Sequence, residues 1–255
     1  MKSPIKDKPL RNPGQSLDNQ ILDLVFDEVL IYYVIALLLT ILGVLEWWRW
    51  YNDSLPNPIL FTVLAVVSVV VALIKMRYAK DKYRNLSLGR DGEKAVGQFL
   101  DTLRVNGYEV FHDIPGNDFN VDHVIVHQSG VYVIETKTWS KPDRGKAELI
   151  YNGDTILRFG RKADRDPIVQ VKSASSWIFE LVKTSTGRSV PVRGVVLFPG
   201  WFIESTAEGK KSDVWVLNPK ALPAFIENSK LEIKFDDVKL IAYHISRYIR
   251  TEKEA

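Results

Sequence analysis

The chain has 255 residues, of which 46% are apolar and 25% charged, and its formal net charge is +3. A charged fraction of this size is ordinary for globular proteins and argues against global disorder. The absence of cysteine excludes disulfide scaffolds, thiolate zinc sites and cysteine nucleophiles.

Two apolar runs without charge, 29–45 and 58–74, lie in the first third of the chain. As a helix each covers about 25 Å, slightly less than a hydrocarbon core of about 30 Å. Aromatic residues, which favour the membrane–water interface, follow the first run: Trp47, Trp48, Trp50 and Tyr51. The pattern predicts a transmembrane hairpin over 29–74; the alternative is two buried core helices.

Basic residues flank the two runs unequally. They precede the first run at Lys2, Lys6, Lys8 and Arg11, and follow the second at Lys75, Arg77, Lys80, Lys82 and Arg84. The connecting loop, 46–57, contains a single basic residue, Arg49. Because basic flanks remain in the cytoplasm, we expect both termini there, with 1–28 as a cytoplasmic N-terminal segment.

A polar stretch, 75–88, has no strong periodicity and is predicted to be a linker to a domain over 89–255. The domain begins with an apolar stripe at helical spacing after Arg90, which Asp91 caps and Gly107 ends. Three predicted strands follow, 108–114, 120–127 and 131–139, and then a small hairpin around Asn152-Gly153.

The rest of the domain alternates between helical and strand patterns. Helices are predicted over 167–184, 219–228 and 236–251, and β-prone segments over 190–200 and 214–217. This order predicts an α/β domain with a mixed sheet flanked by helices.

Charged residues interrupt two of the apolar strands. Asp122 lies in the second strand, and Glu135 and Lys137 lie in the third, two positions apart and therefore on one face. If Gln128 and Ser129 form a two-residue loop, Asp122 faces Glu135 at a Cβ separation of about 5 Å. A three-residue loop would place the two carboxylates on different faces.

Two interpretations of this constellation remain open on spacing alone. Two facing carboxylates repel unless a cation lies between them, and a hard divalent ion prefers oxygen ligands. Alternatively, Lys137 forms a surface salt bridge with Glu135 or Asp122 on a solvated sheet face.

The segment from about Gly89 to Gly200 resembles the nuclease-related domain (NERD) family of the restriction-endonuclease-like PD-(D/E)XK superfamily. The resemblance rests on Gly92-Glu93, on the strands 121–126 and 130–137, and on 167–170, in which Gln170 occupies the family's glutamine position. Val121 stands where the superfamily name implies proline, and four extra residues, 141–144, lengthen one connection.

The resemblance implies metal-dependent hydrolysis of phosphodiester bonds in nucleic acid, with DNA as the expected substrate. Asp122, Glu135 and the Thr136 carbonyl would hold Mg²⁺ or Mn²⁺. Lys137 would orient water or stabilise charge on the phosphate. Glu93 would hold a water on the metal or Lys137, and Gln170 would orient substrate or a ligand. Plainer readings are a first-turn carboxylate for Glu93 and a surface amide for Gln170.

Two further expectations concern binding. The segment 141–165 is rich in Lys and Arg and would contact backbone phosphates, unless it is only a solvated basic loop. An inactive nuclease fold that binds DNA or a protein partner at the membrane is the alternative to an enzyme. The four histidines lack metal-ligand spacing, and His123 is expected to be structural.

Overall fold

The computed structural model describes residues 10–52, 57–142, 146–162 and 166–251, with the side chain of Arg161 left out. The chain divides into two compact units, Ser16–Leu88 and Met1–Gln15 together with Gly89–Ala255. The second of these units includes residues 10–15, which precede the first apolar run.

The first unit is helical. Its elements are α1 (Gln15–Asp23), a π-helical segment (Leu24–Leu30), α2 (Ile31–Tyr51) and the first part of α3 (Pro58–Thr102). Two helical stretches, Gln15–Tyr51 and Pro58–Asn106, are long and apolar enough to cross a membrane. They contain the two predicted runs.

Small residues allow the two helices of this unit to approach closely. A Cβ atom on Gly43 would lie 3.7 Å from the Phe61 carbonyl oxygen, and Ala36 and Ala72 are buried. Trp47 Nε1 also donates to Thr62 Oγ1 at 2.9 Å. Small residues at such contacts are typical of membrane helix pairs, so the predicted hairpin is compatible with the observed packing.

The predicted linker is a helix. Residues 75–88 lie inside α3, which runs without interruption from Pro58 to Thr102, so Asp91 caps nothing. The stretch contains no proline, and its Lys, Arg, Leu and Ala residues favour helix. A 3₁₀ turn, Leu103–Asn106, extends α3 to Gly107, whose φ of 84° ends the helix as predicted.

The main sheet has five strands in the order β1-β2-β3-β7-β9. They are β1 (Glu109–Pro115), β2 (Asn120–His127), β3 (Gly130–Thr136), β7 (Val192–Leu197) and β9 (Trp215–Leu217). The first three strands are antiparallel neighbours, whereas β7 pairs parallel to β3 and β9 parallel to β7. The predicted mixed sheet is confirmed, although β3 ends three residues early.

A second, smaller sheet has the order β6-β5-β4-β8. Its strands are β4 (Glu148–Tyr151), β5 (Ile156–Arg158), β6 (Arg161–Lys162) and β8 (Phe202–Ser205). The predicted hairpin around Asn152-Gly153 is β4–β5. Strand β8 was not predicted, because its alternation lasts only four residues.

Helices cover both faces of the main sheet. These helices are α4 (Pro167–Thr186), α6 (Leu222–Glu227) and α7 (Phe235–Thr251), with a short α5 (Ala207–Lys211) near the second sheet. Helices α4 and α7 share one buried cluster with alternate residues of the strands, among them Val124 and Val133. The end of α3 and α6 share another with Ile125 and Ile134.

The connection from β3 to β7 decides where the site can form. Both strands run in the same direction and α4 lies between them in the chain, packed on both. A crossover helix runs back along the sheet, so its first turn lies near the carboxyl end of the preceding strand. Glu135 and the first turn of α4 therefore share one end of the sheet.

Candidate nuclease site

The two predicted carboxylates lie at the same end of the β2–β3 hairpin. His127 pairs with Gly130, and the ladder continues to His123 opposite Ile134. Gln128 and Ser129 thus form the two-residue loop, which confirms this loop length over the three-residue alternative. One further step in the same register would place Asp122 opposite Glu135.

A backbone hydrogen bond fixes Asp122 at this position. Its Oδ2 atom accepts the Thr136 N–H at 2.6 Å, so its side chain bridges the two strands beyond the last ladder pair. Burial raises the pKa of Asp122 well above its ordinary value, and the nearby charges of Glu135 and Glu93 raise it further. Negative charge is therefore costly at this site.

Lys137 pairs with Glu135. Its Nζ atom lies 2.6 Å from Glu135 Oε1, with side chains 22% and 14% exposed. The Lys137 N–H donates to the Leu197 carbonyl at 2.9 Å, which holds the strand against β7. The alternative interpretation predicted a Lys137–Glu135 salt bridge on a solvated sheet face. The salt bridge is present, but both side chains are largely shielded from solvent.

Helix α3 brings Glu93 to the same cluster. A Cβ atom on Gly92 would overlap Thr138 Oγ1 and lie 2.8 Å from its Cβ atom, so the helix passes directly over the end of β3. Burial raises the pKa of Glu93 to about 8, with smaller increases from the charges of Asp113 and Glu135. Glu93 is thus half-buried, and it lies inside α3 and not in an exposed first turn.

The donors present suit a hard divalent cation. Asp122 and Glu135 supply carboxylate oxygens, and Thr136 adds a backbone carbonyl oxygen. A bound cation would also offset the repulsion among the negative charges of Asp122, Glu135 and Glu93. In the described parts of the chain, however, no group of three or more acidic or histidine side chains converges on one metal position. A metal here would rest on two carboxylates, one carbonyl and water.

Gln170 lies in the first turn of α4, at the same end of the sheet as Glu135, but its side chain is exposed. Among the described residues, its amide makes no hydrogen bond with Asp122, Glu135 or Lys137. The role predicted for Gln170, the orientation of substrate or of a ligand, therefore stays a prediction.

Two charged residues near the site were missed from the sequence. Asp113 lies in β1 between His112, which pairs with His123, and Ile114, which pairs with Val121. This register places Asp113 beside Asp122. Arg11 Nη1 lies 3.1 Å from Asp113 Oδ2. An acidic residue within an apolar strand was a visible signal for Asp113, but no sequence signal connects Arg11 to it.

His112 and His123 form a buried pair, with 2.9 Å between their Nδ1 atoms. His112 Nε2 also lies 3.0 Å from Asp101 Oδ1. Burial lowers the pKa of both imidazoles. Two neutral rings that share a proton in the core are consistent with the expected structural role of His123.

The basic segment 141–165 is only partly described, since Arg144 and Arg165 lie outside the described residues. Arg158 donates to the Ser140 carbonyl at 2.7 Å and lies over the rings of Trp139 and Trp201. That guanidinium is engaged in packing. Lys141 and Lys146 are exposed and remain the candidates for phosphate contacts.

The raised pKa of Glu93 predicts a pH-dependent stability. Between pH 4.5 and about 8 the native state holds a proton that the unfolded state has lost, so the free energy of unfolding falls as pH rises. We expect a loss on the order of 3 kcal/mol across this window in EDTA, and a smaller loss in Glu93→Gln. Chemical denaturation of the full chain in detergent at several pH values measures both slopes.

A control for this measurement lies on the same helix. Gln98 is exposed on α3 and carries no charge, so Gln98→Ala should leave the wild-type pH slope unchanged. A Glu93→Gln slope equal to that of the wild type would show that Glu93 does not hold the proton.

Comparison with known proteins finds one matching family model and one similar curated protein. Residues 88–199 match the family model described as Nuclease-related domain. A Bacillus anthracis protein, named only as uncharacterized, is 29% identical over 76 residues, which are 28% of this chain and 36% of that protein. No solved structure matches the chain. Over residues 88–199 the chain is therefore similar to the nuclease-related domain family, and its two apolar helical stretches are compatible with a membrane hairpin.

Proposed function

We propose that this protein is a membrane-anchored nuclease that uses a divalent cation to hydrolyse phosphodiester bonds in nucleic acid, with DNA as the favoured substrate. The observation that carries the proposal is the cluster at the adjoining ends of β2 and β3, where Asp122 accepts the Thr136 N–H and Lys137 lies 2.6 Å from Glu135. The family match and the mixed sheet support a restriction-endonuclease-like domain.

Asp122, Glu135 and the Thr136 carbonyl would hold Mg²⁺ or Mn²⁺. The bound cation supplies charge that polarises the scissile phosphate and lowers the pKa of water beside it. Asp122 is already held by the Thr136 N–H, so one of its oxygens is oriented before any ligand binds. Such preorganisation removes part of the cost of assembling the site.

Lys137 and Glu93 would act on the phosphate and on water. The Lys137 ammonium, which lies 2.6 Å from Glu135, would stabilise negative charge on the phosphate or orient the attacking water. The pKa of Glu93 is raised to about 8. A carboxyl group with a pKa near neutral pH can both donate and accept a proton there. Gln170 would orient the substrate strand from the first turn of α4.

Membrane anchoring with both termini in the cytoplasm is part of the proposal. The basic flanks favour this orientation. The packing of residues 10–15 within the same compact unit as 89–251 supports a single side for both flanks, because a hairpin over 29–74 must then enter and leave the membrane on that side. The domain would meet cytoplasmic nucleic acid.

The direct test is cleavage by the purified full chain in detergent. With Mg²⁺ or Mn²⁺ we expect cuts in labelled duplex or single-stranded DNA, and EDTA should abolish them because phosphate activation depends on the cation. Gel analysis of labelled DNA and of a matched RNA measures both activity and substrate class.

Asp122→Asn is the matched control for contaminating nucleases, since it changes one charge and retains the side-chain shape. Cleavage that persists in this variant would contradict the assignment. Retention of DNA without cleavage under every metal condition would instead support the inactive binding module.

A further inference from the structure

A large apolar cleft lies where the two sheets meet, inside the compact unit that contains residues 89–251. Its volume is about 800 Å³, which is within the range of pockets that hold small molecules. Strand β9, the last strand of the main sheet, forms one side, and strand β8, the last strand of the second sheet, forms the other. Among the described residues that line it, none belongs to the candidate metal site.

The register of the main sheet places this cleft near the candidate metal site. Glu135 pairs with Val196, and Val196 pairs in turn with Val216, which lines the cleft. Adjacent strands lie about 4.8 Å apart, so the step across two strands from Glu135 to Val216 spans about 10 Å. Asn218 also lines the cleft and follows β9 at the same end of the sheet at which Lys137 follows β3. Ligands of parallel strands bind at this carboxyl end.

Aromatic side chains line both sides of the cleft. They form an aromatic wall that consists of Trp201, Phe202, Trp215 and Phe225. Phe202 of β8 and Phe225 of α6 are 66% and 43% exposed, and Trp215 lies against Phe225 with 5.3 Å between the ring centroids. Exposed aromatic rings in a concave site indicate a ligand. Rings of this kind stack with nucleobases of any sequence.

Basic side chains surround the aromatic wall. Lys210 of α5 and Lys220 after β9 line the cleft, and none of the described lining residues is acidic. Lys141 lies beside them, because a Cβ atom on Gly200 of the cleft would be only 2.5 Å from Lys141 Nζ. These lysines are all exposed. An aromatic cleft with a positive rim is complementary to a ligand that has a flat apolar part and a negative charge, and a nucleotide has both.

We propose that this cleft is a subsite for an unpaired nucleotide of the substrate strand, with the base stacked on the aromatic wall and the phosphate contacted by Lys210 and Lys220. The inference rests on the proposed function and adds a substrate class to it. A base must leave the duplex stack before it can enter a cleft. The protein therefore prefers single-stranded or locally melted nucleic acid to a fully paired duplex.

The experiment measures fluorescence anisotropy of labelled oligothymidylate with the full chain in detergent and EDTA, so that binding is observed without cleavage. Phe202→Ala should weaken binding of this strand about tenfold, because stacking on the ring is lost. It should have little effect on a strand of equal length without bases. Lys220→Gln should weaken binding of both strands alike, about two- to fivefold, because it removes a phosphate contact.

The duplex and two further variants complete the test. The wild type should bind oligothymidylate about tenfold more tightly than its duplex with oligoadenylate, and Phe202→Ala should remove most of this preference. Phe225→Ala should show the same base-dependent loss, which guards against a folding defect in one variant. Phe235→Ala is the matched control, since Phe235 is an exposed phenylalanine on α7, away from the residues that line the cleft, and it should leave every affinity unchanged.

The results also separate this inference from the proposed function. If Phe202→Ala and Phe225→Ala both bind the single strand as tightly as the wild type, the inference is overturned, and an added peptide strand between β8 and β9 becomes the better occupant. Metal-dependent cleavage in those variants would then leave the proposed function standing. Base-dependent binding in EDTA without cleavage under any metal condition would support the subsite and contradict the hydrolysis alone. A wild type that binds no nucleic acid would overturn both.

Discussion

Asp122→Asn and Glu135→Gln are each expected to abolish both the stabilisation of the chain by Mn²⁺ and its cleavage of nucleic acid. At a Mn²⁺ concentration of 100 times Kd, mass action stabilises the wild type by about 2.7 kcal/mol, or roughly 5–10 °C in melting temperature. Each variant removes a ligand charge while retaining the side-chain shape. Differential scanning calorimetry with and without Mn²⁺ measures the effect.

Without metal, the stabilities of Asp122→Asn and Glu135→Gln should depend on the charges that lie near each residue. Because burial and nearby carboxylates raise the pKa of Asp122, Asp122→Asn removes an unfavourable charge, and its amide oxygen can still accept the Thr136 N–H. This variant should be as stable as the wild type or slightly more stable. Glu135→Gln loses the Lys137 ion pair and should gain less.

Lys137→Ala separates metal binding from chemistry. Lysine supplies no metal ligand, so stabilisation by Mn²⁺ should persist in this variant while cleavage is lost. Asp237→Asn is the control, because it removes a carboxylate that pairs with Arg188 on another part of the domain. If the site is only a salt bridge, Mn²⁺ will leave all of these proteins unchanged.

Gly92→Ala is expected to destabilise the compact unit that contains residues 89–251 by about 1–3 kcal/mol, the range of an overpacked core. The added Cβ atom would overlap Thr138 Oγ1, whose side chain would have to move with the end of β3. Glu93 follows directly, so a displaced helix would also separate it from Glu135. Chemical denaturation in EDTA measures the loss of stability.

A second substitution should rescue part of the loss. Thr138→Ala removes the hydroxyl that the new Cβ atom meets, although the Thr138 Cβ position would remain 2.8 Å away. Gln98→Ala makes an alanine at an exposed position of the same helix and should stay within about 0.5 kcal/mol of the wild type. A Gly92→Ala variant as stable as this control would show that α3 can shift at no cost.

The carboxylate pair could be predicted because it depends on local information. The sequence narrowed the hairpin to a two- or a three-residue loop, and the structure has the two-residue loop, whose register leads towards an Asp122–Glu135 pair. The same arithmetic could not place Glu93 or Gln170, whose positions depend on how helices pack on the sheet.

The parts that were missed depend on long-range packing. Arg11 is 102 positions from Asp113, and nothing in the composition of residues 10–15 indicates where they pack. The helical conformation of the stretch 75–88 was missed for a different reason. Its polarity argues against burial, but a helix that is continuous on both sides needs only helix-favouring residues to continue through a polar stretch.

The most direct test of the central claim is an isothermal calorimetric titration of the full-length wild type and Asp122→Asn with Mn²⁺ in detergent. The site described here predicts saturable binding to the wild type that is lost in the variant, because Asp122 and Glu135 share the cation. Equal heats from both proteins, or no saturable binding to the wild type, would contradict a metal site between these strands.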